Sequence, residues 1–323
     1  MRDAAQASEL GRSSAGSAFI MEHCPLCGGD RAEVLVDEEA VWARCGCGIV
    51  YKRSGSSPSA DRLGDSCHER YYERYRRRHA HRVRKARMQI LDALEVAERG
   101  PLLDVGCSLG YTLEAAHSLG LPACGVEISE HAIEHCRRLG LDARRGSLEA
   151  LPFEDGAFAV VMLKHVFEHT PRPRQALAEL RRVLSAGGTA FFAVPHLGYY
   201  KAARPRTSRF FRGEAGRAHF VYYSPETLSL LLEQEGFRVE HVHARLFHRR
   251  ASLARRGAEA AMLPARLAVE WLRTAARLRK EFWLVASRSS QSVRQTLSAT
   301  GVSVTPSSEN PRRRDGVNAR ADA

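Results

Sequence analysis

From residue 101 onward the chain alternates short apolar runs with amphipathic segments that close on glycine, and few folds accommodate that rhythm. Residues 101–106 (PLLDVG) form an apolar run ending in a turn, and LEAAHSLG reads as a helix closed by Gly120. ACGVEI, at 123–128, is a second strand, and Ser129 is the N-cap of the helix EHAIEHCRRLG. LDARRG is a weak third strand and FAVVMLKHV, at 158–166, a strong fourth. RQALAELRRVL is a helix expected to end at Gly187-Gly188, ahead of the strand TAFFAVP. Ser224-Pro225-Glu226 opens another helix, with Ser at the cap and Pro in the first turn, that stops at Gly236. FRVEHVHARL and FWLVAS complete the pattern. Repeated βα units with short loops imply a mostly parallel sheet covered by helices on both faces.

Composition bounds the class. The 323 residues are 44% apolar and 27% charged, which excludes wholesale disorder. No window approaches the ~18 uncharged apolar residues of a membrane span. The N-terminus lacks a continuous apolar stretch of the secretory type, so the expected setting is cytoplasmic, with a peripheral place at the inner membrane face as an extension. The formal charge of +12 is unevenly spread. Residues 68–88 hold nine basic and two acidic residues, whereas residues 100–197 hold nine basic against eleven acidic. Segments 198–217, 242–280 and 288–323 carry the rest of the excess.

Ligands of open α/β sheets bind at the carboxyl ends of the strands. The first strand ends in Asp104-Val105-Gly106-Cys107-Ser108-Leu109-Gly110, a D-x-G-x-x-x-G pattern distinct from the G-x-G-x-x-G of dinucleotide binders. Gly106 permits unusual backbone dihedrals and close approach of a ligand, and Gly110 permits tight packing where the helix starts. The Asp104 carboxylate would repel a pyrophosphate, so the turn suits a nucleoside without phosphates. Glu127 ends the second strand, 23 residues after Asp104, and can accept hydrogen bonds from two ribose hydroxyls.

With LLDVGCSLG, GVEIS, GSLEALPFEDGAFAVVMLKHVFEHTPRPRQALAELRRVLSAGG and HFVYYSPETLSLLLEQEGF in that order, the chain resembles the class I S-adenosylmethionine-dependent methyltransferases, in the small-molecule branch related to ubiquinone biosynthesis. The resemblance covers roughly residues 68–287. It implies a Rossmann-like sheet of seven strands whose last, near 281–287, runs antiparallel. It also implies that Asp104, Gly106 and Gly110 lie against the methionine part of S-adenosylmethionine, with Cys107 also a cofactor-binding residue, that Glu127 holds the ribose, that Ile128 packs on the adenine and that Ser147 and Leu148 line its edge. Many relatives carry an aspartate where Ser147 stands, and Ala159 departs from the family's Phe-Asp pair before the fourth strand.

Methyl transfer to a hydroxyl needs an aligned nucleophile, exclusion of water and a base. His165, Glu168 and His169, just after the fourth strand, are candidates, and His219, on a segment that covers the acceptor pocket in relatives, is another. The same Glu-His pair occurs in relatives with different acceptors, where it shapes the loop. Tyr199, Tyr200, Phe210 and Phe211 form a candidate lid.

Cys24-Pro25-Leu26-Cys27-Gly28 is a zinc-knuckle sequence, and Cys45-Gly46-Cys47-Gly48 is its expected mate. The shortened C-x-C of the second knuckle leaves His23, Cys67 or His68 as alternative fourth ligands. Such a zinc would be structural, because the segment has too few apolar residues to fold alone. The expected organisation is a disordered stretch over 1–20, a zinc ribbon over 21–52 and a linker over 53–67. A transferase domain over 68–287 follows, with basic insertions at 198–217 and 246–280, and then a disordered tail over 288–323.

The leading expectation is methylation of a small molecule, sugar or glycan or lipid-linked intermediate. An RNA methyltransferase is the first alternative, since ribosomal guanine methyltransferases also carry an N-terminal zinc module and the basic connector could follow phosphates. Their aromatic-lysine-glycine signature is not present in this sequence, and nucleic acid is not the favoured partner. The second alternative is an inactive membrane-surface or scaffold protein. Arg266, Arg273, Arg277 and Lys280 share one side of a helical stretch over 258–280 with Leu263, Leu267, Trp271 and Leu278 beside them, which would suit an anionic surface.

Overall fold

The computed structural model describes residues 18–36, 40–56, 72–73, 75–197, 218–243 and 281–289. The central sheet is built from β5 (Leu102–Val105), β6 (Ala123–Glu127), β7 (Ala143–Arg145), β8 (Phe158–Lys164), β9 (Leu184–Pro195), β11 (Phe237–His243) and β12 (Glu281–Arg288). Its order is β11-β12-β9-β8-β5-β6-β7. The pairs β5–β6, β5–β8, β6–β7 and β8–β9 are parallel, while β12 runs antiparallel to both β9 and β11. The expected mixed, Rossmann-like sheet is therefore present, antiparallel strand included.

Helices α1 (His79–Ala93), α2 (Tyr111–Ser118), α3 (Glu130–Arg138), α4 (Pro173–Val183) and α5 (Pro225–Gln234) flank it. Alternation along the strands sends Leu102, Val160, Met162, Phe191, Trp283 and Val285 to one face, where Ile90 and Ala86 of α1 and Ala115 and Ala116 of α2 cover them. Leu103, Val105, Val161, Leu163, Phe192 and Leu284 face the other way, against Leu177 and Leu180 of α4 and Leu228 and Leu231 of α5. Each such buried Val, Leu, Ile, Met or Phe side chain contributes about 1.5–3 kcal/mol. Local signals act as read: the Ser129 hydroxyl accepts from the Ala132 amide at 3.4 Å, and Ser224 with Thr227 forms a full capping box ahead of α5. Gly187 and Gly188, however, do not end α4. The strand β9 begins at Leu184, directly after Val183, and the glycines lie within it, Gly187 at φ +75°.

A second, antiparallel sheet carries the cysteines: β1 (Ala18–Ile20), β2 (Ala32–Val36), β3 (Ala40–Cys45) and β4 (Val50–Ser56), in the order β1-β4-β3-β2. It extends past both ends of segment 21–52, since Ala18–Ile20 pair with Ser54, Gly55 and Ser56. The two-residue strand β10 (Val221–Tyr222) also pairs with β4, Val221 opposite Tyr51 and Tyr222 opposite Val50. One edge of β4 thus meets β3, and the other is shared end to end by β1 and β10. Cys24, Leu26, Ile49 and Tyr51 belong to the same buried cluster as the α4–α5 face of the large sheet, so the two sheets share a core.

Among the described residues no helix is long and apolar enough to cross a membrane. The lid aromatics Tyr199, Tyr200, Phe210 and Phe211, the insertions at 198–217 and 246–280, the amphipathic stretch 258–280, Cys67 and His68 lie outside the described residues, as do residues 1–17, the linker beyond Ser56 and the tail beyond Ser289.

Candidate functional site

The chain runs from β5 outward through β6 and β7 on one side, then crosses to β8 and β9 on the other, so the sheet order reverses at β5. A crevice opens outside the carboxyl ends of the strands at such a reversal. Every sequence-predicted cofactor and catalytic residue but His219 lies on a strand end or the loop after it. The loop after β5 turns tightly, with the Gly106 and Cys107 amides both donating to the Val126 carbonyl, at 2.7 and 3.1 Å. Gly106 has φ +71°, and a Cβ built on it would lie 2.5 Å from Cγ2 of Val166. The space beside Gly106 is therefore filled by the β8 loop, a closer reason for glycine than room for a ligand. Gly110, at φ +78°, is boxed in by Leu141 and Cys136, and the buried Cys107 fills the gap beside Gly125.

Glu127 fixes this turn. One carboxylate oxygen accepts from the Ser108 amide at 2.9 Å, and the other accepts from the Ile128 and Ser129 amides at 2.8 and 3.1 Å. A carboxylate has about four acceptor directions, so one remains for a ligand while these bonds hold. Ile128, just beyond, is 43% exposed although apolar, while Leu148 is buried and Ser147 half-buried. The Ser108 hydroxyl and the Tyr111 hydroxyl are buried without a hydrogen-bond partner. Burial pushes the Asp104 carboxyl up to about 7, against the pull of a Thr112 hydrogen bond and the Lys164 charge. The reversal point thus brings together an exposed apolar side chain, Ile128, a carboxylate with one acceptor direction to spare, Glu127, and a buried acid, Asp104.

Across the crevice, the loop after β8 carries His165, Val166 and the 3-10 turn Phe167–His169. Glu168 is 0% exposed, and its Oε1 lies 3.3 Å from His165 Nδ1 and 4.0 Å from Nε2 of both His169 and His219. Its Oε2 has no hydrogen-bond partner. Burial opposes its charge, but the hydrogen bond with His165 and the surrounding histidines outweigh it and hold the carboxyl below its ordinary value. His165 also meets Glu281 of β12, Nε2 to Oε2 at 2.8 Å. Burial works against the His165 cation, yet the hydrogen bonds to Glu168 and Glu281 and their charges lift it to about 9. His219 is the opposite case: burial, aided by His169, pulls it down to about 3. His169 Nδ1 sits 3.0 Å from the Ala218 carbonyl and its ring 4.7 Å from that of His219. Glu168, His169 and His219 together could hold a cation, with ligand atoms within 4.8 Å of one another.

The sulfurs of Cys24, Cys27, Cys45 and Cys47 also lie within 4.8 Å of one another. Cys24 and Cys47 are 3.6 Å apart and Cys27 and Cys45 3.4 Å, close to the ~3.8 Å edge of a tetrahedron with 2.3 Å zinc–sulfur bonds. The Gly28 amide donates to the Cys24 carbonyl and the Gly48 amide to that of Cys45, each glycine at positive φ, so both knuckles have the tight turns such a site needs. The shortened second knuckle still reaches with Cys47, while His23 is exposed and paired with Asp30. Arg174 of α4 clamps the first knuckle, donating to the Pro25 and Leu26 carbonyls at 3.1 and 2.6 Å and to Gln234 and Glu235 at the end of α5.

Two contributors escaped sequence reasoning. Glu281 and Lys164 join the site only through the fold. Lys164, brought down to about 8 by burial, lies near Asp104 and Glu281. The backbone adds a further signal. Ser108, at φ 50°, and His165, at φ 55°, are the non-glycine residues with positive φ among the described residues. Each such conformation costs about 1–3 kcal/mol, and both sit in the loops flanking the reversal point.

Residues 103–192 match the family model described as "Methyltransferase domain". The chain is 37% identical over 120 residues to the ubiquinone biosynthesis O-methyltransferase of Methylococcus capsulatus, covering 35% of this chain and 51% of that one. It is 33% identical over 122 residues to 24-methylenesterol C-methyltransferase 2 of Oryza sativa, covering 35% and 33%. The chain thus spans about half or less of the length of these curated relatives. A solved S-adenosylmethionine-dependent methyltransferase from Mesorhizobium loti is similar at TM-score 0.44 and 19% identity, over 59% of this chain and 92% of that one.

Proposed function

We propose that the protein transfers a methyl group from S-adenosylmethionine to a small-molecule acceptor, with the cofactor at the β5–β6 turns and the acceptor over the β8 loop. The observation that supports this best is the Glu127 carboxylate, which ties the Ser108 amide to the tip of β6 at the reversal point, within the segment that matches the methyltransferase family. The bound cofactor would supply an electrophilic methyl carbon on a sulfonium. Asp104 would face the ammonium of its methionine part, Glu127 the ribose through its remaining acceptor capacity, and Ile128 the adenine face. The relatives include an O-methylating and a C-methylating enzyme by name, so the matched segment suits more than one acceptor atom.

For a hydroxyl acceptor, protonation sets two of the three histidines aside. His165, at about 9, carries its proton at neutral pH and is not free to take another. His219, at about 3, is too weak a base to be useful. His169 remains. Because Ala218 offers a carbonyl, Nδ1 of His169 must be the donor, which leaves the lone pair on Nε2. The acceptor hydroxyl would give its proton to that nitrogen as its oxygen bonds the methyl carbon and the carbon–sulfur bond breaks. Glu168 would stabilise the resulting imidazolium.

The four cysteines would hold a structural zinc, and a cytoplasmic setting would keep them reduced. The test is tritiated methyl transfer into small-molecule extracts by the wild type and His169→Ala. Label in a small organic product, falling by about 10²-fold or more in the variant, supports the reading. Absence of any label transfer overturns it.

A further inference from the structure

The cysteine module and the β8 loop are joined by one short peptide segment. The amide of Lys52 in β4 donates to the Phe220 carbonyl at 2.8 Å, and the Phe220 amide donates to the Glu168 carbonyl at 2.8 Å. Cys45 ends β3 and its amide donates to the Ile49 carbonyl at 3.1 Å, just before β4, so a path of hydrogen bonds and main chain runs from the sulfur cluster to the turn that holds Glu168 and His169. His219 is the residue directly before Phe220, buried, with its Nε2 4.0 Å from Glu168 Oε1. Side chains reinforce the seam: Tyr222 lies 5.4 Å from Trp42 of β3, and the Lys52 ammonium sits 5.3 Å from the ring centres of both Trp42 and Phe220. Among the described residues, β10 has only β4 as a strand partner, with one bridge from Tyr223 to His196 beyond it. It is two residues long, so its place is set by that pairing together with the burial of Val221, Tyr222 and Tyr223.

We infer that the cysteine module is a positioning element for the acceptor side of the site: through the Lys52–Phe220–Glu168 backbone ladder, a metal on the four cysteines fixes where His219 stands against Glu168. The word "acceptor" rests on the function proposed above; the mechanical coupling does not. The path draws its strength from the metal. Knuckle turns and short strands with little core of their own need the metal to hold their shape. The β4 edge that they hold is the edge on which β10 docks. The turns after β5 and β6, in contrast, are fixed by Val126 and Glu127, and among the described residues no backbone hydrogen bond joins them to the module.

The experiment uses the full chain, loaded with zinc or stripped with a chelator, and reads hydrogen–deuterium exchange over 218–223 and over 102–110. Titration calorimetry with S-adenosylmethionine runs beside it. Stripping is expected to speed exchange over 218–223 by about tenfold or more, while exchange over 102–110 and the cofactor affinity stay within about twofold. Lys52→Pro removes the donor to Phe220 and keeps all four cysteines. It is expected to retain one zinc per chain and still show the faster exchange over 218–223, which keeps the inference testable should the stripped chain unfold. Unchanged exchange over 218–223 in both samples, or a purified chain that takes up no zinc, overturns the inference. Failure to bind S-adenosylmethionine with the exchange pattern intact would instead count against the proposed function alone.

Discussion

Replacing Glu281 by glutamine removes one of the two carboxylates that keep His165 a cation. The contact is 2.8 Å, from which Coulomb's law gives ~6 kcal/mol at an effective dielectric of ~20 and ~1.5 kcal/mol in water. The His165 and Glu281 side chains are 42% and 38% exposed, so solvent screening puts the pair near the lower figure. That is about one pKa unit, so the variant's His165 should titrate clearly below the wild-type value of about 9. The folded value lies above the unfolded ~6.5, so the stabilisation is fully present below that pH and is lost as pH rises through about 9. Glu281→Gln should therefore cost ~1.5 kcal/mol in urea unfolding at pH 6 and much less at pH 10. Carbon-edited NMR of the imidazole Cε1–H signals between pH 6 and 10.5 reads the midpoint directly. A wild-type midpoint near 6.5, or one that Glu281→Gln leaves in place, would refute the charge assignment and return His165 to the list of bases.

Gly106→Ala should cost about 2–5 kcal/mol, from the left-handed φ and the Val166 overlap together. In a Val166→Ala background the overlap part, about 1–3 kcal/mol, should vanish; an equal cost in both backgrounds in urea unfolding would mean that Val166 does not fill that space. Asp104, held near 7 by burial, should lose its proton when a cationic cofactor binds, so S-adenosylmethionine affinity should rise with pH through about 7. In Asp104→Asn that pH dependence should flatten. Calorimetry in buffers of different ionisation heat checks it, and an unaltered slope in the variant would assign the proton elsewhere.

The large sheet was legible because each βα unit carries its own punctuation: Ser129 and Ser224 cap, and Gly120, Gly140 and Gly236 stop, at positions that local chemistry determines. Gly187-Gly188 misled for the same reason. A glycine pair after a helical run reads as a C-cap, yet Leu184 is already paired with Phe158, and pairing to a distant strand overrode the local signal. The cofactor turn could be placed from D-x-G-x-x-x-G, but not the cause of its glycine, since Val166 lies 60 residues away. On the acceptor side His165, Glu168, His169 and His219 were visible as residue types. Their protonation was not, because Glu281 reaches His165 across 116 residues of chain. Nor could sequence show β10 docking on β4, as two residues carry no periodicity.

The central claim is that the β5–β6 turns bind S-adenosylmethionine, and calorimetric titration of that cofactor into the purified chain and into Glu127→Ala tests it most directly. The account predicts saturable one-to-one binding to the wild type. In the variant, affinity should fall by about tenfold or more, through loss of the ribose contact and of the carboxylate that anchors the Ser108 amide. No binding by the wild type, or equal binding by both proteins, would contradict it.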